Sequence, residues 1–526
     1  MKPKEILFEE EARSALQSGI DELTDIVAIT LGPKGRNVGI DASWGSPTIT
    51  SDGHSIAKDV EFKDTFRNMG ASMAKEVASK IKEKAGDGTT TGIILLRALV
   101  QGGVKNIASG ASPISIKRGM DKTLEKLLAQ IDAMSLEIKN PKETQNIASV
   151  SASGNLEVGE KIAEAFEKVG KEGIVAIEEG KGTETVLELV DGMQLDRGYA
   201  SPYFATNLEK NTVEMTNPYL LITDKKISSA QEILPLLQHM ASTKQELLII
   251  ADDIDGDALS TLVVNKLRGI LKVAAIKAPG FGDGRKALLE DIAILTGASL
   301  VSEEKGLVLK EADPEVFGQV DQITIDKDKT TLVGGKGDPK GLKMRIAQID
   351  AELKKTTSNY DREKLEQRKA KLQGGVALIK VGALTESEMK KKKQMYEDSL
   401  NSTRAALEEG IVPGGGTTLL RASLALGKLD LSKEEMVGAQ ILIKACEAPF
   451  RQIVSNTGYD PSVILGEVLK QGKNFIFNAL SEKVEDFAKG GVIDPAKVVK
   501  SSLSHAVSMA GVILLSEALI GDAKEE

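Results

Sequence analysis

The chain has 526 residues, 41% of them hydrophobic and 28% charged, a balance that excludes long disordered tracts and predicts roughly three or four domains. The formal net charge of -9 and a pI near 5.4 argue against nucleic acid or an anionic membrane as partner, because both call for basic surface. The single cysteine, Cys446, excludes an internal disulfide framework and reads as a small buried apolar group. With no signal-peptide core in M-K-P-K-E-I-L-F-E-E-E-A-R and no run of about 18 apolar residues, the expected location is cytoplasmic, with an organelle matrix after processing as the alternative.

Up to about residue 135 the pattern is helical. Met69, Met73, Val77 and Ile81 recur every fourth residue, and Ile93 to Val100 is an apolar run of good helix formers. Between these two patterns stands A-G-D-G-T-T-T at 85–91. From about 172 short β-branched runs take over, at 173–177, 247–250 and 272–276, interleaved with helix patterns at 258–267 and 285–295. Strand and helix in alternation predict an α/β layer with some parallel pairing. A polar helical hairpin is expected around 344–372, ended by Gly374-Gly375, and beyond Met389 the chain reads as helical to its end, broken by P-G-G-G at 413–416. The fold class is therefore multidomain α and α/β, in the order helical, α/β, helical. Pattern alone leaves open whether the outer parts close into one domain.

A glycine-flanked turn that feeds a helix makes an anion site, since the first N–H groups of the helix are unpaired and carry partial positive charge. Thr89, Thr90 and Thr91 are expected to cap that helix and offer hydroxyls to phosphate, while Gly86 and Gly88 permit conformations that a Cβ blocks. Asp87 conflicts with phosphate unless a magnesium ion lies between them, a role that suits a carboxylate oxygen. The plainer reading of Asp87 is an N-cap. T-L-G-P-K-G at 30–35, S-D-G-H at 51–54 and P-G-G-G at 413–416 are further glycine turns, and no G-x-x-x-x-G-K-[ST] element is present.

Six motifs carry a resemblance. T-L-G-P-K-G-R-N-V (30–38), A-G-D-G-T-T-T (85–91), M-Q-L-D-R-G-Y-A-S-P-Y-F (193–204), K-A-P-G-F-G-D (277–283), D-S-L-N-S-T-R-A-A-L-E-E-G-I-V-P-G-G-G (398–416) and V-I-D-P-A-K-V (492–498) together resemble the group I chaperonins, the GroEL-like family of bacteria and organelles, over essentially the whole chain. The resemblance implies ATP-driven protein folding in stacked seven-membered rings with a lid-like, GroES-like co-chaperonin. It implies a mostly helical equatorial ATPase domain from 1–136 and 409–526, a small α/β intermediate domain from 137–190 and 377–408, and an apical α/β domain at 191–376 inserted in the middle.

In the family pattern Asp87 is the magnesium ligand and Gly88, Thr89, Thr90 and Thr91 meet the phosphates. Thr30, Leu31, Gly32, Pro33 and Ser51 line the nucleotide, and Gly415, Asn478, Ala479 and Asp494 hold base and ribose. Asp398 and Asp52 are the acids beside the attacking water, and potassium is implied at Thr30 and Thr90. The alternative for Asp398, read from D-S-L-N-S-T, is an N-cap at a helix start. Non-native polypeptide and the co-chaperonin would dock on Tyr199, Ser201, Tyr203, Phe204, Leu234, Leu237, Leu259, Val263 and Val264.

The residues themselves point to such a surface. At about 100° per residue, Leu259, Leu262, Val263, Val264 and Leu267 spread over roughly 200°, and Ile233, Leu234, Leu236, Leu237 and Met240 over about 160°, more than one core contact needs. The alternative is that both faces pack within the α/β layer. Gly192, Gly375 and Gly410 match the family's pivots. Ser51 stands where a lysine is common in the family, Glu137 where a proline is, and Asn155 and Met395 where many relatives carry an ion pair. These departures sustain a second reading, a holding or scaffolding relative with weak or uncoupled ATPase. Trp44 is assigned only to packing.

Overall fold

Residues 3–41, 48–138, 140–152, 154–170, 173–180, 182–208, 210–280, 282–356, 359–373 and 375–522 are described by a computed structural model; Trp44, Gly374 and the last four residues fall outside them. The chain packs as two units, Met1–Glu164 with Lys390–Glu526, and Ala165–Met389.

The first unit is built on long helices. Glu9–Ala28, Thr65–Ala85, Thr89–Ala108 and Pro113–Met134 follow the expected helical stretch. Thr65–Ala85 starts where the Asp64 carboxylate accepts the Arg67 N–H at 3.1 Å, the usual device for an orphan first-turn donor. Its four-residue repeat points inward: Val77 and Ile81 are buried, while Met69 and Met73 pack at the core's edge. Two helix pairs touch backbone to backbone through reciprocal glycines. A Cβ on Gly19 would lie 1.9 Å from the Arg67 carbonyl oxygen and one on Gly70 2.1 Å from that of Leu16, and Gly119 and Gly438 repeat the arrangement with Glu435 and Ile116. Any side chain at these four points separates the helices.

Helix Ala496–Leu515 lies against Thr65–Ala85, Thr89–Ala108 and Pro113–Met134. Among the described residues it alone is long and apolar enough to cross a membrane, yet most of it is buried in the core of this unit. Strand Lys4–Phe8 pairs antiparallel with Ala518–Asp522, Lys4 opposite Asp522. The two ends of the chain thus share one sheet, and the closure that pattern left open is made. The expected run of helices after Met389 is interrupted by more than the glycine break: Ile411–Pro413 pairs with Ile493–Pro495, and Phe475–Asn478 forms a hairpin with Lys483–Asp486.

The second unit contains a seven-stranded sheet. Tyr219–Ile222, Glu246–Ala251 and Lys272–Lys277 are parallel neighbours, as the alternation of strand and helix implied; Gly318–Ile325, Thr330–Gly335, Gly192–Leu195 and Val213–Thr216 extend the sheet antiparallel. Helices Leu234–Thr243, Gly256–Leu267 and Gly282–Thr296 cover it. The polar hairpin begins earlier than its pattern suggests, as Pro339–Lys355 and Asn359–Gln373. It is tied to Gly282–Thr296 through Asp291, which is fully buried and accepts from Arg345 Nε at 2.7 Å and from Arg368 Nε and Nη2 at 2.7 and 2.9 Å. A separate three-stranded sheet sets Val376–Val381 between Ile174–Glu179, parallel to it, and Val186–Val190, antiparallel.

Candidate functional site

The turn at 86–88 joins Thr65–Ala85 to Thr89–Ala108. Gly86 is left-handed (φ 75°), and its N–H donates to the Lys82 carbonyl at 2.9 Å. Gly88 is left-handed as well (φ 86°) and is itself the N-cap of the second helix, with no side-chain cap. The three threonines are therefore the first three residues of the helix rather than its caps, as sequence had suggested. A first turn without a capping side chain keeps its N–H groups for an outside acceptor. Glycine is required at 88 twice over, because a Cβ there would also lie 2.5 Å from Ser502 Oγ and 2.7 Å from Val498 Cγ1.

Asp87 does not cap the helix either. Its Oδ1 accepts the Gly88 N–H at 2.6 Å and its Oδ2 the Ser151 hydroxyl at 3.1 Å. Asp52 does act as a cap, for Gly53–Asp59, accepting from Ser55 N at 2.8 Å and Ser55 Oγ at 2.7 Å. The start of this short helix abuts the turn: a Cβ on Gly53 would lie 2.0 Å from Thr90 Oγ1. Ser51, next to it, is exposed.

Asp398 stands in the middle of helix Glu386–Glu409. The D-S-L-N-S-T run is not a helix start, so the capping alternative falls; the polar run is simply the inward face of a long helix, with Ser399, Ser402 and Thr403 buried. Asp398 Oδ1 accepts from Gln394 Nε2 at 2.8 Å and forms an ion pair with the Lys82 ammonium. Lys82 was not among the residues singled out from sequence, yet it gathers the acids. Burial opposes its charge, but Asp398 and Asp52, and more weakly Asp87, hold it above the ordinary lysine range. Burial also raises Asp52, yet Lys82, the Ser55 donors and His54 bring it below the usual carboxylate range. Asp398 moves the other way: burial, reinforced by the charge of Asp52, pushes it up to about 6 against the pull of Lys82.

Of the other predicted residues, Asp494 is linked to this cluster by the charge of Asp87, and the rest are held by local contacts of their own. Thr30 is buried, and its hydroxyl donates to the Val27 carbonyl at 2.8 Å. Leu31 is half-buried while Gly32 and Pro33 are exposed. This turn is fastened by Asn456 Nδ2, which donates to the carbonyls of Ala28 and Leu31 at 3.0 and 2.8 Å, and by the Lys34–Glu482 ion pair at 3.2 Å. Asn478 and Ala479, both buried, form the corner of the hairpin that carries Glu482; the Asn478 side chain is occupied by Glu485 and by the Leu480 N–H. Gly415 (φ 65°) donates its N–H to Asp494, which lies opposite Val412 in the neighbouring strand. Burial and the nearby charge of Asp87 push Asp494 up to about 7 despite that donor. Asn155 and Met395, which stand where the sequence reading expects the family's ion pair to be lost, meet as Nδ2 and Sδ at 3.7 Å.

Among the described residues no three His, Cys, Asp or Glu side chains gather into a metal cage. A cation here would rest on Asp87 and complete its shell with water and phosphate oxygens, the mode Mg2+ prefers. The chemistry fits: Asp87 faces one hydroxyl, and its negative charge reaches both Lys82 and Asp494.

On the second unit the predicted docking residues divide. Tyr203 is 64% exposed, and Leu234 and Val264 are exposed as well, joined by Leu267 and Ile270. Tyr199, Leu259 and Val263 are half-buried. Phe204, Leu237 and Ser201 are buried and depart from expectation. The reason is the sheet beneath: Ile233, Leu236, Leu237 and Met240 all turn into its core, so helix Leu234–Thr243 has little apolar surface to spare, whereas Gly256–Leu267 keeps a free stripe. Lys266 Nζ donates to the Ala205 carbonyl at 2.8 Å and fastens the Tyr203 turn to that helix. Of the three glycines proposed as pivots, Gly375 (φ 57°) and Gly410 (φ 81°) are left-handed; Gly192 is required instead by close packing, its Cβ position lying 2.4 Å from Val376 Cγ2.

Comparison with known proteins agrees with this assembly of parts. The family model of the TCP-1/cpn60 chaperonins matches residues 23–524. A curated relative, Chaperonin GroEL 3 of Protochlamydia amoebophila (strain UWE25), is 62% identical over 524 residues, covering 100% of this chain and 98% of the relative. The crystal structure of the chaperonin gp146 from the bacteriophage EL 2 (Pseudomonas aeruginosa), determined in the presence of ATP-BeFx, superposes with a TM-score of 0.69 at 23% identity over 99% of both chains. The chain belongs to the TCP-1/cpn60 chaperonin family, on its group I, GroEL-like side.

Proposed function

We propose that this chaperonin hydrolyses ATP at the 86–91 turn and uses the cycle to capture and release non-native polypeptide. The convergence of Asp52, Asp87 and Asp398 around Lys82, beside an uncapped helix N-terminus, carries the reading.

In this reading the first-turn N–H groups and the hydroxyls of Thr89, Thr90 and Thr91 receive phosphate oxygens, and Gly88 lets the backbone approach them. Thr30 to Pro33, Gly415, Asn478, Ala479 and Asp494 surround the nucleoside. Asp87 would hold Mg2+, which supplies the positive charge that lets a triphosphate lie among carboxylates. A potassium ion would share Thr30 and Thr90. Asp398 and Asp52 orient the attacking water, and Asp398, mostly ionised at neutral pH, can take its proton. Phosphoryl transfer asks mainly for positioning and charge neutralisation, so a carboxylate carried on a separate long helix can gate it without binding the nucleotide.

Asp52, Lys82, Asp87 and Asp398 all belong to the first unit and the docking surface to the second; the division into equatorial, intermediate and apical domains is part of the same proposal and assigns Asp398 to the intermediate one. Tyr203, Leu234 and Val264 offer apolar area suited to clients that share hydrophobicity and little else, with Leu259 and Val263 at its edge and Phe204 and Leu237 as its floor. A co-chaperonin lid, assembly into stacked seven-membered rings and a cytoplasmic location belong to the same proposal, by likeness to the family.

Asp398→Ala tests the site. ATP should bind with affinity close to that of the parent, while steady-state hydrolysis falls by about 100-fold or more, the scale of lost general-base catalysis. Unchanged turnover contradicts the assignment, and a parent that binds ATP but barely hydrolyses it favours the holding chaperonin.

A further inference from the structure

Asp398 and Asp52 are both acids, as is Asp87, and a site that must accept triphosphate gains nothing from their mutual repulsion. The geometry addresses that repulsion with one side chain. Lys82 lies in the last turn of Thr65–Ala85, the same turn whose carbonyl receives the Gly86 N–H and so shapes the phosphate-facing loop. Its ammonium pairs with Asp398 Oδ1 and is felt by Asp52 and Asp87. Side chains of both partners are only about one-fifth exposed, where an ion pair is screened less than on an open surface.

The hydrogen bonds are also selective within the carboxylate. Gln394 Nε2 and Lys82 Nζ both end on Oδ1. Among the described residues no hydrogen bond ends on Oδ2. Gln394 lies one turn before Asp398 on the same helix, so it fixes the side chain's rotamer but cannot tie the carboxylate to the turn. Lys82 can, because it belongs to the helix that ends in the turn. The T-S-D-G-H segment at 50–54 contributes no lysine or arginine that could do the same from the other side.

We propose that Lys82 is a positioning residue for ATP hydrolysis: its ammonium holds Asp398 to the nucleotide turn through Oδ1, presents Oδ2 to the attacking water, and offsets the charge of Asp52 beside it. The inference rests on the ATPase reading above and adds to it a residue that acts through Asp398 without touching substrate. Loss of the ammonium frees the Asp398 carboxylate to swing away from the turn and leaves two acids facing each other, while the helix itself stays packed on the turn through Asn401 at Gly86 and Ala405 at Ala85. ATP binding, which uses the turn and not Asp398, is left nearly intact.

The test is a kinetic comparison of the full-length protein with Lys82→Met, which keeps the length of the stem without its charge, and Lys82→Arg, which keeps the charge. Lys82→Met should lower kcat for ATP about 10- to 100-fold, the scale on which misplacing a catalytic group costs rate, with KM changed less than about 3-fold; Lys82→Arg should recover most of the loss. In the Asp398→Ala background, Lys82→Met should have no further effect, because residues acting as one unit do not add. Parent-like kcat in Lys82→Met, or an undiminished further loss on top of Asp398→Ala, overturns the proposal. If Lys82→Met does not fold, Lys82→Gln gives the same reading. Should the parent itself fail to hydrolyse ATP, the ATPase reading is what fails; a parent that hydrolyses, with Asp398→Ala inactive and Lys82→Met normal, removes Lys82 alone.

Discussion

Asp398 is governed by opposing neighbours. Burial pushes it up to about 6 and Lys82 pulls it down, so its proton leaves well above the usual carboxylate value of about 4. The sign follows for both catalysis and stability. In its proposed role as base it works only when ionised, so kcat at saturating Mg-ATP should rise with pH through an apparent pKa near 6 and level off above it; a profile flat from pH 5 to 8 contradicts the assignment. For stability the raised value means that the native state holds this proton longer than the unfolded chain. Its contribution is whole below about pH 4 and is lost as pH rises through about 6. Asp87 could be singled out from sequence because its glycines and threonines surround it within seven residues. Lys82 could not: the partner that gives it meaning is 316 positions away, and a lysine near a helix end has an ordinary explanation in the helix dipole.

At the scale of elements, periodicity told where helices lie more reliably than what covers them. Two apolar helices of the second unit both carry more apolar width than one contact needs, yet Leu234–Thr243 spends most of it on the sheet core and Gly256–Leu267 keeps some exposed. A count of apolar angle gives the width of a face and nothing about how many neighbours it meets. The polar run from Asp398 misled in the opposite sense: buried Ser399 donates to the Ala148 carbonyl of a neighbouring helix and Thr403 back to the Ser399 carbonyl, so hydroxyls that commonly mark an end continue the helix here. The polar hairpin Pro339–Lys355 and Asn359–Gln373 is likewise held by something pattern does not display. Asp291 is the buried anion between Arg345 and Arg368. Asp291→Ala takes both carboxylate acceptors from Arg368 and leaves it beside Arg345, which keeps Glu290 Oε2 at 3.0 Å, and should destabilise the second unit by about 3–5 kcal/mol, the cost of breaking a buried ion pair from one side. Chemical denaturation followed by a probe in that unit measures it; a loss under about 1 kcal/mol would place the pair among ordinary surface bridges.

For the molecule as a whole, the order helical, α/β, helical was legible, and so was the glycine turn between Thr65–Ala85 and Thr89–Ala108, since both arise from local sequence. What joined the outer parts was not. The strands that bring the two ends of the chain together, Lys4–Phe8 and Ala518–Asp522, are five residues each, too short to stand out by alternation, and Ile411–Pro413 and Ile493–Pro495 are shorter still. The shorter pairing bears on the proposed site because it carries Asp494, which accepts from the Gly415 N–H and feels the charge of Asp87. The central claim is that hydrolysis at Asp87 and Asp398 drives a cycle of capture and release. It is tested most directly by mixing the protein with a chemically denatured enzyme and following recovered activity with ATP, beside Asp398→Ala under the same conditions and with a GroES-like co-chaperonin present in both. The expected result is ATP-dependent recovery by the parent and little recovery by Asp398→Ala, which still captures the client; equal recovery by both, or recovery by the parent without ATP, would contradict the account.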